Sequence, residues 1–234
     1  MAKEKKKFYK RWWFWLIVVV IIIAAVSGGG NSDKKDTSSN KKQTSQSQDK
    51  KVDTKKEESK EEVKSRDNSS AKTKTLSTGT FEVGKDINPG RYVCKSLGGS
   101  GNFVVNKDGV PEVNEILDPS GQDGVKTVTC DLTKGESIKI SSIKKVKFTP
   151  AETKMSNKLS AGTWEVGVDI KPGRYIAKVK HGSGNFVVND NGVPEVNEIL
   201  DASGESGVKT VTCDLKDGEI INISSLNEVY FESK

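Results

Sequence analysis

The stretch GTFEVGKDINPGRY at residues 79–92 returns as GTWEVGVDIKPGRY at residues 162–175, and this recurrence decides how the chain folds. Working outward from it, Gly79 to Thr149 aligns with Gly162 to Glu232 at a constant offset of 83, without a gap, and 49 of the 71 pairs are identical. GSGNFVVN recurs from Gly99 and Gly182, GVPEVNEILD from Gly109 and Gly192, and GVKTVTCDL from Gly124 and Gly207. The C-terminal two-thirds of the chain is therefore one unit written twice, and each copy should fold alike.

Each copy reads as β throughout: short runs rich in Val, Ile, Thr, Phe and Tyr, punctuated by Gly, Asn, Asp and Pro, with no long helical period. In the first copy the spacing predicts strands near 80–83, 91–95, 102–106, 112–117, 125–132, 137–141 and 146–148. Seven short strands in so small a unit predict a compact β-sandwich or a partly closed barrel. Alternation puts Val128, Cys130 and Leu132 on one face and pairs Ile138 with Ile140 across Lys139. Pro89-Gly90 and Pro172-Gly173 fit type II turns, and Asp108-Gly109 and Asn191-Gly192 read as hairpin turns. The nine residues 150–158 at the seam read as a linker, so the two copies are expected as beads with some hinge freedom.

The remaining third has a different character. Residues 1–11 carry a cluster of Lys and Arg, and 12–30 run WWFWLIVVVIIIAAVSGGG without a charge. At about 1.5 Å per residue a helix of that length approaches the ~30 Å of a bilayer core. Trp12, Trp13 and Trp15 sit at one end, where aromatic rings favour the headgroup layer, and the preceding cations predict a cytoplasmic N-terminus with the rest outside. The expected arrangement is a single-pass membrane anchor; the competing reading of the same leader is a cleaved secretory signal. Residues 31–75 hold Val52, Val63 and Ala71 among polar and charged neighbours, too little apolar surface to fold, and read as a disordered polar tether.

Charge and residue types narrow the function. Residues 1–30 carry net +5 and residues 31–75 net +4 against +6 for the whole chain, so the duplicated part is near −3 and no nucleic-acid partner is expected. The one histidine, His181, faces Gly98 in the other copy, and Cys94, Cys130 and Cys213 show no metal-ligand spacing. No enzyme activity, cofactor or metal is expected. Cys94 aligns with Ala177, so a Cys94–Cys130 disulfide is an option in the first copy alone. The carboxylate pairs Glu112 with Glu115 and Glu195 with Glu198 read as surface acids. Recurring aromatics and amides, Phe81 and Trp164, Tyr92 and Tyr175, Asn102 and Asn185, are the candidate ligand-binding residues, with a core role competing for the aromatics. A duplicated binder gains avidity on a repetitive surface.

The pattern GT(F/W)EVG-x-DI-x-PGRY, followed by GSGNFVVN and closed by a GE-x-I-x-I strand, resembles the tandem β-repeat of poorly characterised surface and prophage-encoded, membrane-anchored proteins of low-GC Gram-positive bacteria. That resemblance implies an envelope location and a β fold, and it carries over no catalytic residues. Three functions follow as expectations: binding or adhesion to cell-wall polymer or a surface protein, protection of the envelope as in superinfection exclusion acting on a phage component, and service as an accessory extracytoplasmic sensor subunit.

Overall fold

A computed structural model describes residues 65–234. The expected anchor at 12–30, with Trp12, Trp13 and Trp15, and the tether as far as residue 64 lie outside the described residues. Strands β1 (Lys74–Glu82), β2 (Gly90–Ser96), β3 (Gly101–Lys107), β4 (Val110–Leu117), β5 (Val128–Leu132) and β6 (Ser137–Pro150) build the first copy. The second copy consists of β7 (Lys158–Leu159), β8 (Ala161–Glu165), β9 (Gly173–Lys178), β10 (Ser183–Asp190), β11 (Val193–Asp201), β12 (Thr210–Leu215), β13 (Ile220–Ser224) and β14 (Val229–Ser233). The described residues are all-β, with no helix among them.

The long strand β6 explains how six strands cover a core. Its first half pairs with β3 and its second half with β2, while β1 runs along both halves. The bend between the halves falls at Ser142, whose φ is 64°. In the second copy the matching residue, Ser225, has φ 60°, and there the path is broken into β13 and β14, flanked by β8 and β7. Leu76, Phe103, Ile138, Ile140, Val146 and Phe148 fill the first interior, and the matching residues Leu159, Phe186, Ile221, Ile223, Val229 and Phe231 fill the second. Phe148 meets Tyr92 edge-on at 6.1 Å and Phe103 at 5.8 Å; Phe231 repeats this with Tyr175 at 6.0 Å and Phe186 at 5.9 Å. Such pairs add about 0.5–1.5 kcal/mol beyond burial of their area, so each trio is a strong local anchor.

The Asp108-Gly109 hairpin forms as the sequence predicts: β3 and β4 pair from Lys107 and Val110 across a two-residue loop whose φ values are 49° and 83°. Two positive φ values make a type I′ turn, whose twist matches that of the strands it joins. The Pro-Gly steps differ from expectation. Gly90 and Gly173 have φ of 146° and 153°, far from the roughly 80° of a type II turn, because each glycine already begins a strand in an extended conformation.

The seam departs most from the sequence reading. β5 pairs in parallel with β8, Val128 opposite Ala161 and Thr129 opposite Gly162, which joins strands of both copies into one ten-stranded sheet. A second, four-stranded sheet runs β12-β9-β14-β7. Gly162 permits the joint, since a Cβ there would lie 2.1 Å from the Thr129 carbonyl oxygen. The intervening 151–157 segment is tied down as well, with Ala151 N donating to Arg91 O at 2.9 Å and Ser156 N to Asp169 O at 2.7 Å. In place of hinged beads the copies form one packed unit, because an open strand edge in one finds an open edge in the other.

Candidate functional site

Three groups of contacts hold the junction, and the second and third of them line a groove. The first is a charged cluster. Arg66 donates from Nη1 to both Asp169 oxygens at 2.7 and 2.8 Å and from Nη2 to Glu165 at 3.1 Å. Arg91, 5% exposed, donates to Asp131 at 2.6 Å and to the Thr163 carbonyl at 2.5 Å, and its guanidinium carbon lies 5.1 Å from the Trp164 ring centroid. Asn68 binds both backbone groups of Arg91, accepting from its N–H at 2.8 Å and donating to its carbonyl at 2.9 Å. Residues 66–72, read from sequence as the end of a tether, are thus fastened to both copies. A buried Asp169 flanked by two arginines is tolerated because its charge is matched and hydrogen-bonded.

The second group is built on Asn227. Its side-chain oxygen accepts from Lys126 N at 2.9 Å, while its amide nitrogen donates to Gly121 O at 2.9 Å and Gly124 O at 3.3 Å. The loop it grips is shaped by Asp118, which accepts from Gln122 N at 3.0 Å, Asp123 N at 3.1 Å and Ser120 N at 3.1 Å, and also from the Ser120 hydroxyl. The Ser120 hydroxyl, then the Asp123 amide, hold the Asp118 carboxyl down at about 2. Asp201 organises the matching loop through Ser203 and Ser206 and is likewise lowered, chiefly by the Ser206 and Ser203 amides.

The third is Glu115, whose two oxygens receive the Ser225 N–H at 3.0 and 3.2 Å. Burial against the second copy pushes this carboxyl up to about 7, and the Ser225 amide opposes that shift only in part. Glu198, the same residue in the second copy, is exposed.

Beside the Asn227 and Glu115 contacts lies a groove of about 1270 Å3, lined by Glu115, Asn102, Asn114, Gln122, Ser183 and His181 among others. Amides and hydroxyls make up half of its lining residues, beside the charged Glu115, Asp123, Glu228 and Lys126, with Ile116 the one large apolar side chain in it. Among the described residues no three or more His, Cys, Asp or Glu side chains converge as a metal ion requires.

The residues singled out from sequence fall in three places. Tyr92 and Tyr175 are buried, their hydroxyls donating to Asn88 O at 2.9 Å and Lys171 O at 3.0 Å, so their rings belong to the interior. Trp164 is a junction residue, its Nε1 donating to Ser160 O at 2.8 Å, and Phe81 packs half-buried against the first core. Asn102 is exposed on the groove wall, whereas Asn185 is exposed away from it and donates to the Ser224 hydroxyl at 3.3 Å. Cys94 and Cys130 are free thiols with sulfurs 3.9 Å apart, and burial raises the Cys94 thiol well above its ordinary value. Cys213 is also buried and free, pushed up to about 11 by burial. Sequence reasoning passed over Arg66, Asp118 and Asn227 and read Glu115 as a surface acid, whereas packing against the second copy leaves it 5% exposed. Of these, only Asp118 carried a readable signal, an acid followed at short range by Ser and Gly as in side-chain-capped turns. No protein-family model and no curated protein matches the sequence.

Proposed function

We propose that this is a single-pass membrane-anchored protein of the cell envelope that displays its two fused β-repeats, each a small sandwich or partly closed barrel, outside the cell to bind a hydroxyl-rich polymer of the wall. The leader at 12–30 and its flanking cations support the anchoring, and the motif resemblance supports a Gram-positive, surface or prophage-encoded setting. The observation that carries the binding reading is the junction groove. Its amide and hydroxyl side chains, set among Glu115, Asp123, Glu228 and Lys126, offer many donors and acceptors, the chemistry that exchanges hydrogen bonds with sugar hydroxyls in place of water. Because the groove exists only where the copies meet, the duplication is what creates it.

The test is co-sedimentation of the full chain with purified wall polysaccharide, alongside Asn102→Ala/Asn114→Ala, two exposed wall positions. Binding by the parent chain and at least about ten-fold weaker binding by the double variant is expected, a loss of ~1.4 kcal/mol that one or two missing hydrogen bonds supply. Equal binding by both chains would remove the groove from the reading, and no binding by either would remove the ligand class.

A further inference from the structure

The internal junction uses two different faces: the β5 edge of the first copy and the β8 edge of the second. Duplication leaves each copy with the other face unused. Among the described residues β12 pairs with β9 alone and β1 with β6 alone, so an open edge remains at each end of the folded unit.

These open edges keep the residues that make the internal joint. Arg91, Glu115, Val125, Lys126, Val128 and Thr129 of the covered face return unchanged as Arg174, Glu198, Val208, Lys209, Val211 and Thr212. Their surroundings do not return. Val125 is 0% exposed whereas Val208 is 39% exposed, and Arg174, Glu198 and Thr212 all stand in solvent where their counterparts are buried. At the opposite end Gly79, Thr80, Asp86 and Ser142 hold the places of Gly162, Thr163, Asp169 and Ser225, and Thr80 and Asp86 are exposed.

We propose that the chain associates head to tail with further copies of itself, β12 of one chain pairing in parallel with β1 of the next as β5 pairs with β8 inside each chain. The internal joint supplies the register: Val128 lies opposite Ala161, so Val211 lies opposite Thr78 of the neighbour. Arg174 then reaches the Thr80 carbonyl and Asp86, and Glu198 receives the Ser142 N–H. Such an interface is heterologous and does not consume itself on pairing, so it builds strings of repeats in place of a closed dimer. Several differences weaken it relative to the internal joint: Lys144 replaces Asn227, Lys145 replaces Glu228, Thr78 replaces the buried Ala161, Phe81 replaces the Trp164 ring beside the arginine, and Thr149 stands at the Arg66 position. Assembly is accordingly concentration-dependent, as suits chains crowded on one surface.

Oxidative cross-linking of the full chain in detergent micelles tests this. A Thr78→Cys/Val211→Cys variant is expected to give a ladder of multiples of 25.5 kDa on a non-reducing gel. Two changes on the β12 face should each cut the ladder at least about ten-fold. Thr212→Pro removes an edge N–H: Thr129 turns its backbone toward Gly162, so Thr212 turns its own outward. Val208→Lys places a charge at an exposed side chain and leaves the backbone ladder intact, so it serves if the proline change unfolds the strand. A ladder that persists with either change overturns the proposal, as does the absence of a ladder from the double-cysteine chain. A dimer that forms with Val211→Cys alone, and goes no further, also overturns it in favour of symmetric edge pairing.

Discussion

Replacing Glu115 by Gln isolates the one carboxyl whose environment exists only because the two copies touch. Its ordinary value of 4.5 is raised to about 7 by burial. A carboxyl raised in the folded state binds its proton more tightly there than in the unfolded chain. Stability from this group is therefore greatest below about pH 4.5 and falls as pH rises through 7. The 2.5-unit interval corresponds to a ceiling of about 3 kcal/mol. Glutamine keeps an oxygen to accept the Ser225 N–H yet cannot ionise. Urea unfolding of the parent chain and of Glu115→Gln, at intervals from pH 4.5 to 8, gives the measurement, and the difference between them cancels every other titrating group. At a dilution where the chains are unassembled, the expected result is a difference that grows with pH in favour of the variant, while Glu198→Gln, at the twin position exposed in the single chain, leaves the parent profile unchanged. If the Glu115→Gln and parent profiles run parallel, or if Glu198→Gln has the same effect, Glu115 does not sit desolvated against the second copy and the packed junction is wrong.

Asn227→Ala removes three hydrogen bonds across the seam, and hydrogen exchange of the 118–129 segment should accelerate by one to two orders of magnitude, for a loss of about 1–3 kcal/mol, while the Phe186 and Phe231 core strands exchange as before. In the first copy Thr133 supplies a hydroxyl to Glu136, but Lys216 occupies that place in the second and meets the buried Glu219 Oε1 only as an ion pair at 3.5 Å, with no hydrogen bond. Lys216→Thr should give the second copy the hydroxyl bond of the first, a gain of about 0.5–1.5 kcal/mol in thermal or urea unfolding that exceeds the loss of the solvent-exposed lysine's pairs with Glu195 and Glu219.

Much of the β architecture could be read from the chain because the signals are local. Alternation in Val128-Thr129-Cys130-Asp131-Leu132 gives the inward face as observed, and Asp108-Gly109 dictates a turn that few other dipeptides adopt without strain. The seven expected segments all lie on or beside real strands, with 137–141 and 146–148 joined as the two halves of bent β6. The bend was not legible, since a serine at positive φ carries no composition signal. The groove was legible in one residue, Asn102, and the aromatic candidates divided between core and seam because ring size alone does not say which surface a ring covers.

By itself the sequence determined the duplication, the strand-rich character of each copy, its hairpin turn and most of its interior, because identity at a fixed offset and period-two patterning act within a few residues of each position. Only the tertiary structure decided which of two identical residues is buried. Glu115 and Glu198, Arg91 and Arg174, Val125 and Val208 have the same neighbours in sequence and opposite surroundings in space. Desolvation, charge pairing and the shape of a groove depend on which strand edge lies across the gap, and no property of a single copy specifies its neighbour.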